Sequence, residues 1–351
     1  MGSVSSFSRL TPAFSFFMFL SILGVLMVLA SGGLLGIYVG FECSFLGLAA
    51  VLSGDSVEEN ESCMKYFVFQ ALGSLFMLFG FMMMIEPVMG SKLPLVLTLL
   101  GVCLKGGFFP FHFWVPSVMS TCSWFSCFLI AVWQKVGLMC FIGKWGLSYN
   151  LSNFLELVAI VTAVLGAFGG VWVIYYRALM GYSSLVHSGW MLMAAMCSLP
   201  GVMFYMLVYG TISGVLMGRL YKLKIMCFED FSNFHHHEAS SVFMVFLDFM
   251  SLGGLPVLPG FLPKVVVLVL MGLSKKIGMF FLILSSIISL FYYLKVAMVA
   301  GVGSGLNFYL VHKWAGSSSL KSSVLKKYTL LNAGLYFLGV VGLLTLVGVM
   351  G

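Results

Sequence analysis

Apolar residues in this chain come in long blocks separated by short polar stretches. A helix needs about 20 consecutive apolar residues to cross the hydrocarbon core of a bilayer. Eleven blocks approach or exceed that length: 13–31, 33–52, 66–86, 93–119, 125–143, 153–175, 179–199, 202–221, 242–273, 277–300 and 328–349. The first does not read as a cleavable leader, because Arg9 alone precedes it as a basic residue and the second block follows almost at once. An odd number of crossings puts the termini on opposite sides. Arg9, Lys65, Arg177, Arg219, Lys222, Lys224 and the lysines of 313–327 then share the N-terminal side, against Lys92, Lys144, Lys275 and Lys276 on the other. The side with the excess of Lys and Arg is the cytoplasmic or matrix side, so the N-terminus is expected there.

Composition narrows the class further. Of 351 residues, 61% are hydrophobic and 8% charged, and the mean hydropathy is +1.09. Soluble domains carry roughly 25% charged residues, so a soluble enzyme, a nucleic-acid binder and a disordered chain are all excluded. The 40 glycines suit membrane helices, whose backbones approach closely at small residues. Eight cysteines form no CxxC pair and sit mostly within apolar blocks, which points to packed thiols rather than a disulfide or iron–sulfur frame. Two stretches are polar and read as loops: 53–65, with Asp55, Glu58, Glu59 and Glu61, and 222–240, with Glu229, Asp230 and the run His235, His236, His237. Imidazole suits zinc and copper, but adjacent histidines do not by themselves set a tetrahedral site, and no metal is expected.

Five ionisable residues lie where they are costly. Placing a charge near the bilayer centre costs at least about 2.5–3.5 kcal/mol, yet Glu42, Lys105, Lys135, His187 and Lys264 fall inside five different apolar blocks at similar expected depth. Packed side by side, these helices carry a polar line parallel to the membrane. Lysine suits such a line, because desolvation favours its neutral form and lets it exchange a proton near neutral pH; a guanidinium stays charged. Glu86, Lys144, Arg219 and Lys295 stand at block ends, where snorkelling accounts for them. Glu156 reads as a helix N-terminal charge. Asp248 is equally a packing partner or a member of the pathway.

Two blocks are interrupted. The fourth contains Gly106, Gly107 and Pro110 just after Lys105, and the ninth contains Gly253, Gly254, Pro256 and Pro259 just before Lys264. Proline removes a backbone donor, and non-helical backbone at membrane depth is tolerated only when buried in protein or lining a wet cavity. Blocks one to five and six to ten read as two five-helix units, each with its fourth helix broken; five being odd, the copies have inverted topology. Matching interruptions of this kind mark ion pathways in secondary transporters. The expected fold is an all-α polytopic membrane protein with about 11 transmembrane helices. Its halves are 1–145 and 151–300, followed by a basic loop and C-terminal helix in 301–351.

The motifs carry a resemblance over nearly the whole chain. They are Val39-Gly40-Phe41-Glu42, Lys65-Tyr66-Phe67, Pro110-Phe111-His112-Phe113-Trp114-Val115-Pro116, Trp133-Gln134-Lys135, Tyr182-Ser183-Ser184, His187-Ser188-Gly189-Trp190, Ser251-Leu252-Gly253-Gly254-Leu255-Pro256 and Gly260-Phe261-Leu262-Pro263-Lys264. Together they resemble the antiporter-like subunit 2 family of the membrane arm of mitochondrial NADH–ubiquinone oxidoreductase (respiratory complex I). The resemblance implies the eleven-helix animal form, a proton-translocating role, and residence in the mitochondrial inner membrane with the C-terminus toward the intermembrane space. It implies that Glu42 pairs with the first channel lysine Lys105, that Lys135 is the central lysine, that His187 continues the connection, and that Lys264 serves the second half-channel. His112 is a secondary candidate.

The same resemblance implies that this chain binds no cofactor. FMN, iron–sulfur clusters, NADH and ubiquinone would belong to partner subunits. Expected partners are other membrane-arm subunits and lipid, with cardiolipin a candidate, and no nucleic acid. Ser44, Ser117 and Pro259 depart from the residues common in relatives, and Asp248 has no counterpart there, which leaves the proton uptake route open. A free-standing cation/proton antiporter and a passive membrane-arm scaffold are the alternatives.

Overall fold

The computed structural model describes residues 12–54, 56–85, 92–145, 152–228, 230, 239–256, 258–272 and 275–303. These residues form thirteen α-helices: α1 (Pro12–Ala30), α2 (Leu34–Leu52), α3 (Val57–Ile85), α4 (Lys92–Gly106), α5 (Trp114–Thr121), α6 (Trp124–Phe128), α7 (Gln134–Trp145), α8 (Ser152–Val171), α9 (Tyr176–Cys197), α10 (Leu199–Leu223), α11 (Ala239–Gly253), α12 (Phe261–Met271) and α13 (Lys276–Gly303). A π-helical turn, Leu129–Trp133, joins α6 to α7. Seven helical stretches are long and apolar enough to cross a membrane, and the shorter apolar helices α4, α11 and α12 flank the interrupted regions. The chain is a nearly all-helical, multi-pass membrane protein. Block 328–349 and the histidine run 235–237 lie outside the described residues, as do Arg9 and Glu86.

Most block boundaries agree with the helices to within a few residues. One does not. Residues 53–65, read as a loop, become helical from Val57, so α3 is 29 residues long. The cause is local: Ser56 Oγ accepts the Glu59 backbone N–H at 3.2 Å, and Glu58 and Glu59 lie in the first turn, where the helix dipole favours negative charge. Ser56 with Glu59 three residues on is a capping-box spacing. Asn60 then accepts the Gly54 N–H at 3.1 Å and ties the preceding turn to the helix.

Helix α1 lies directly on α2. A Cβ at Gly47 would stand 2.6 Å from the Ser21 backbone nitrogen, so these backbones touch only because small residues face each other. At the centre of the molecule is α9, packed against α5, α7, α8, α10, α12 and α13. Every residue of α9 from Leu179 to Met196 except Tyr182 is buried. Its interior position explains a polarity unusual for a membrane helix: Ser183, Ser184, His187 and Ser188 meet protein rather than lipid, where polar groups find partners.

Candidate functional site

The first interruption ends α4 at Gly106. Gly107 turns the chain at φ +65°, a left-handed conformation that glycine adopts without steric cost. Carbonyls released from the helical ladder find other donors: Trp114 Nε1 donates to the Leu104 oxygen at 3.0 Å, and Gln70 Nε2 donates to the Lys105 oxygen at 3.0 Å. Lys105 stands on the last turn of α4, nine-tenths buried, and its Nζ is 3.2 Å from Glu42 Oε1 on α2. The ammonium also lies over the rings of Phe41 and Phe45, at 5.5 and 5.9 Å from their centroids. Pro110 and His112 occupy the connecting segment, with the His112 ring 4.2 Å from that of Phe113.

Lys135 follows the π-helical turn and is buried. Its Nζ donates to the Ser184 backbone oxygen on α9 at 2.7 Å, while the adjacent Gln134 amide reaches back to the Ser44 oxygen on α2 at 3.2 Å. One helical turn along α9, His187 Nδ1 is 2.9 Å from the Tyr205 hydroxyl on α10. The imidazole also lies against Tyr209, with ring centroids 4.6 Å apart.

The second interruption ends α11 at Gly253, and Gly254 turns the chain at φ +83°. Pro256 and Pro259 lie in the connecting segment before α12. Lys264 is on the first turn of α12. Its Nζ donates to the Gly253 oxygen at 2.7 Å and to the Leu252 oxygen at 3.3 Å. The ammonium therefore caps the C-terminal end of α11, where the helix dipole presents partial negative charge. A Cβ on Gly254 would stand 2.9 Å from Lys264 Nζ, so glycine also makes room for the cation.

The remaining charges correct several expectations. Arg219 does not snorkel; it is buried, and its Nη1 lies 2.6 Å from Asp248 Oδ2. Its place near a block end predicts snorkelling, but a buried carboxylate on the neighbouring helix holds it inside. Asp248 is thereby the partner of Arg219. Glu156 meets Lys275 at 3.4 Å, across the ends of α8 and α13. Lys144 donates to the Leu29 oxygen at 2.8 Å and so closes the end of α1. His112 is not brought to the other pathway candidates by any hydrogen bond or ion pair among the described residues. Tyr205 and Tyr209 were missed. Their only sequence signal is i, i+4 spacing of hydroxylated aromatics on one face of an apolar helix.

Residues 31–292 match the family described as NADH:quinone oxidoreductase/Mrp antiporter, transmembrane. The chain belongs to this family. The match spans both interruptions, the half-buried Glu42 and the buried Lys105, Lys135, His187 and Lys264, in agreement with the motifs. Among relatives of the antiporter family, NADH-ubiquinone oxidoreductase chain 2 of Anopheles gambiae is 32% identical over 80% of this chain and 84% of its own length. The Lumbricus terrestris protein of the same name is 31% identical over 82% of this chain and 86% of its own length. A solved chain of respiratory complex I from Thermus thermophilus superposes with a TM-score of 0.78, at 21% identity, over 93% of this chain and 78% of that one. It shares the fold.

Proposed function

We propose that this chain is the proton-translocating chain-2 subunit of the membrane arm of NADH–ubiquinone oxidoreductase, located in the mitochondrial inner membrane. NADH oxidation, with its flavin and iron–sulfur centres, and quinone reduction take place in partner subunits; this chain converts their signal into proton movement. The observation that carries the reading is the placement of two buried lysines at two helix interruptions, with Lys135 and His187 on the helices between them. In the proposed sequence a proton arrives at the Glu42–Lys105 pair, passes Lys135 and His187, and leaves by way of Lys264. Each lysine gains or loses one proton at Nζ, and Glu42 favours the charged form of Lys105.

The finer architecture belongs to the same proposal: eleven crossings, the last over 328–349, two inverted five-helix units, and the N-terminus on the matrix side. Other membrane-arm subunits are the partners. Lys135→Ala is expected to lower proton pumping and coupled NADH oxidation together, because its ammonium is buried with a backbone oxygen as its acceptor. An unchanged proton-to-electron ratio in that variant would remove Lys135 from the pathway. Native electrophoresis with an NADH-activity stain separates this reading from the antiporter alternative. Migration of the chain with a large NADH-active band is expected, and a small inactive band would overturn it.

A further inference from the structure

Ser198 alone separates α9 from α10, and its hydroxyl caps the new helix by accepting the Gly201 N–H at 3.2 Å. The two helices run back along each other, which brings Tyr205 and Tyr209, one turn apart on α10, against His187 of α9. The imidazole and both phenols are each at most 4% exposed. Tyr205 Oη is 2.9 Å from His187 Nδ1, and the Tyr209 ring lies against the imidazole at 4.6 Å. The Tyr205 contact has two polarities. In one, the phenol donates to a bare Nδ1 and the imidazole hydrogen sits on Nε2; in the other, Nδ1–H donates to the phenol oxygen and Nε2 is bare. Among the described residues, Nδ1 is the only hydrogen-bond partner of the Tyr205 hydroxyl. The second polarity therefore leaves a buried hydroxyl hydrogen without an acceptor, which is costly. A neutral His187 rests with Nδ1 accepting and Nε2 protonated.

We propose that Tyr205 is a positioning residue whose hydroxyl sets whether His187 takes part in proton transfer. The proposal rests on the proton-translocating reading above. In the resting form both nitrogens are occupied, Nε2 by its own hydrogen and Nδ1 by the phenol's, so the ring has no place for a proton. Once the hydroxyl turns about its C–O bond, Nδ1 gains one proton and donates it to the phenol oxygen across the same contact. His187 is then an imidazolium. Loss of one proton from Nε2 makes it neutral again, with Nε2 bare and Nδ1–H still held by Tyr205. From there each proton enters and leaves at Nε2, and the phenol keeps its own hydrogen throughout. The buried charged and phenolic groups on the other elements packed against α9 are Lys135 of α7, Lys264 of α12, and Tyr292 and Tyr293 of α13. Helix α5 carries none, Glu156 of α8 pairs with Lys275, and Arg219 of α10 pairs with Asp248. None of these is hydrogen-bonded to the imidazole, so Tyr205 alone holds it by a polar contact.

The test is Tyr205→Phe in the assembled complex, in sealed membrane vesicles, with and without His187→Gln. Proton uptake per assembled complex is followed across pH with a fluorescent ΔpH dye, alongside NADH oxidation by a soluble acceptor that bypasses the membrane arm. Phenylalanine leaves the imidazolium Nδ1–H without its acceptor, so the charged ring forms only at a higher proton concentration. Uptake at neutral pH is expected to fall about tenfold, and the alkaline limb of its profile to move about one pH unit toward acid. Oxidation by the soluble acceptor should be unchanged. His187→Gln should lower uptake, and adding Tyr205→Phe to it should cost nothing more, because the phenol acts through the imidazole. An unmoved limb, normal uptake in His187→Gln, or an equal further loss in that background overturns the proposal. Normal uptake in Tyr205→Phe with uptake lost in Lys135→Ala overturns it too, and leaves the translocation reading standing; normal uptake in both removes that reading as well. If Tyr205→Phe does not assemble, 3-fluorotyrosine at position 205 decides. It keeps the shape and the hydroxyl but weakens the oxygen as an acceptor, so the limb should move the same way, and an unmoved limb overturns the proposal.

Discussion

At the first interruption Lys105 stands on the last turn before the break; at the second, Lys264 stands on the first turn after it. The freed backbone oxygens at the first break are served by neutral groups, Trp114 and Gln70, and this leaves the Lys105 ammonium available to a carboxylate. At the second break the lysine itself serves the freed oxygens, and no carboxylate is within bonding distance of its Nζ among the described residues. The nearby acid, Asp248, is taken by Arg219. One lysine is therefore electrostatically paired and structurally dispensable to its break. The other is held by dipoles and is part of what keeps its break in shape.

The largest expected effect tests the commitment of Asp248. Asp248→Leu strands a buried guanidinium, and removing one member of a buried pair costs about 3–5 kcal/mol. Thermal unfolding of the detergent-solubilised complex should show the chain lost early, and Arg219→Met combined with Asp248→Leu should restore most of the stability. If the double variant is no better than the single, the pair does more than balance charge.

Next comes a direct contrast between the two lysines. Lys264→Met leaves the Gly253 and Leu252 oxygens without their donor, at about 1–3 kcal/mol for an unsatisfied buried group, so both chain abundance in the complex and pumping should drop. Lys105→Met should assemble near normally while pumping drops, because Trp114 and Gln70 still satisfy the first break. Equal assembly defects on quantitative immunoblots would end the distinction.

Smaller still, Gly254→Ala places a methyl against the Lys264 ammonium and forces a left-handed backbone, at about 1–2 kcal/mol. Proton uptake should suffer more than assembly. Gly107→Ala meets the Val115 side chain instead, and there assembly should suffer more than uptake. The smallest effect is Trp114→Phe, which deletes one hydrogen bond to the Leu104 oxygen, worth about 1 kcal/mol. A modest fall in thermal midpoint with normal pumping is expected.

These contrasts mark how far the residue order could be read without coordinates. Helix positions followed from apolar block length because the bilayer imposes one dominant dimension on every crossing. The interruptions followed from glycine and proline chemistry, and the five titratable candidates, four of them buried, from the cost of charge in an apolar setting. Pairings were harder. Asp248 and Arg219 are 29 positions apart on different helices, and only packing decides that they meet rather than turn toward water or another charge. The phenols were silent for a related reason: tyrosine is unremarkable in an apolar helix until its hydroxyl is seen beside an imidazole. The start of α3 was legible in Ser56 and Glu59 but was outweighed by the run of acidic residues.

The π-helical turn at Leu129–Trp133 has a bearing on how such a chain can change over time. Each residue of a helix turns its successor by about 100°, so one additional residue in a wide turn redirects everything downstream without moving the helix axis. In this chain the redirected residues are Gln134 and Lys135, which face α2 and α9 respectively. Deleting one residue from 129–133 would convert the wide turn to an ordinary one and swing that ammonium away from α9, while the stretch stays nearly as apolar. A single-codon deletion thus switches off the centre of the molecule while the composition of the protein barely changes.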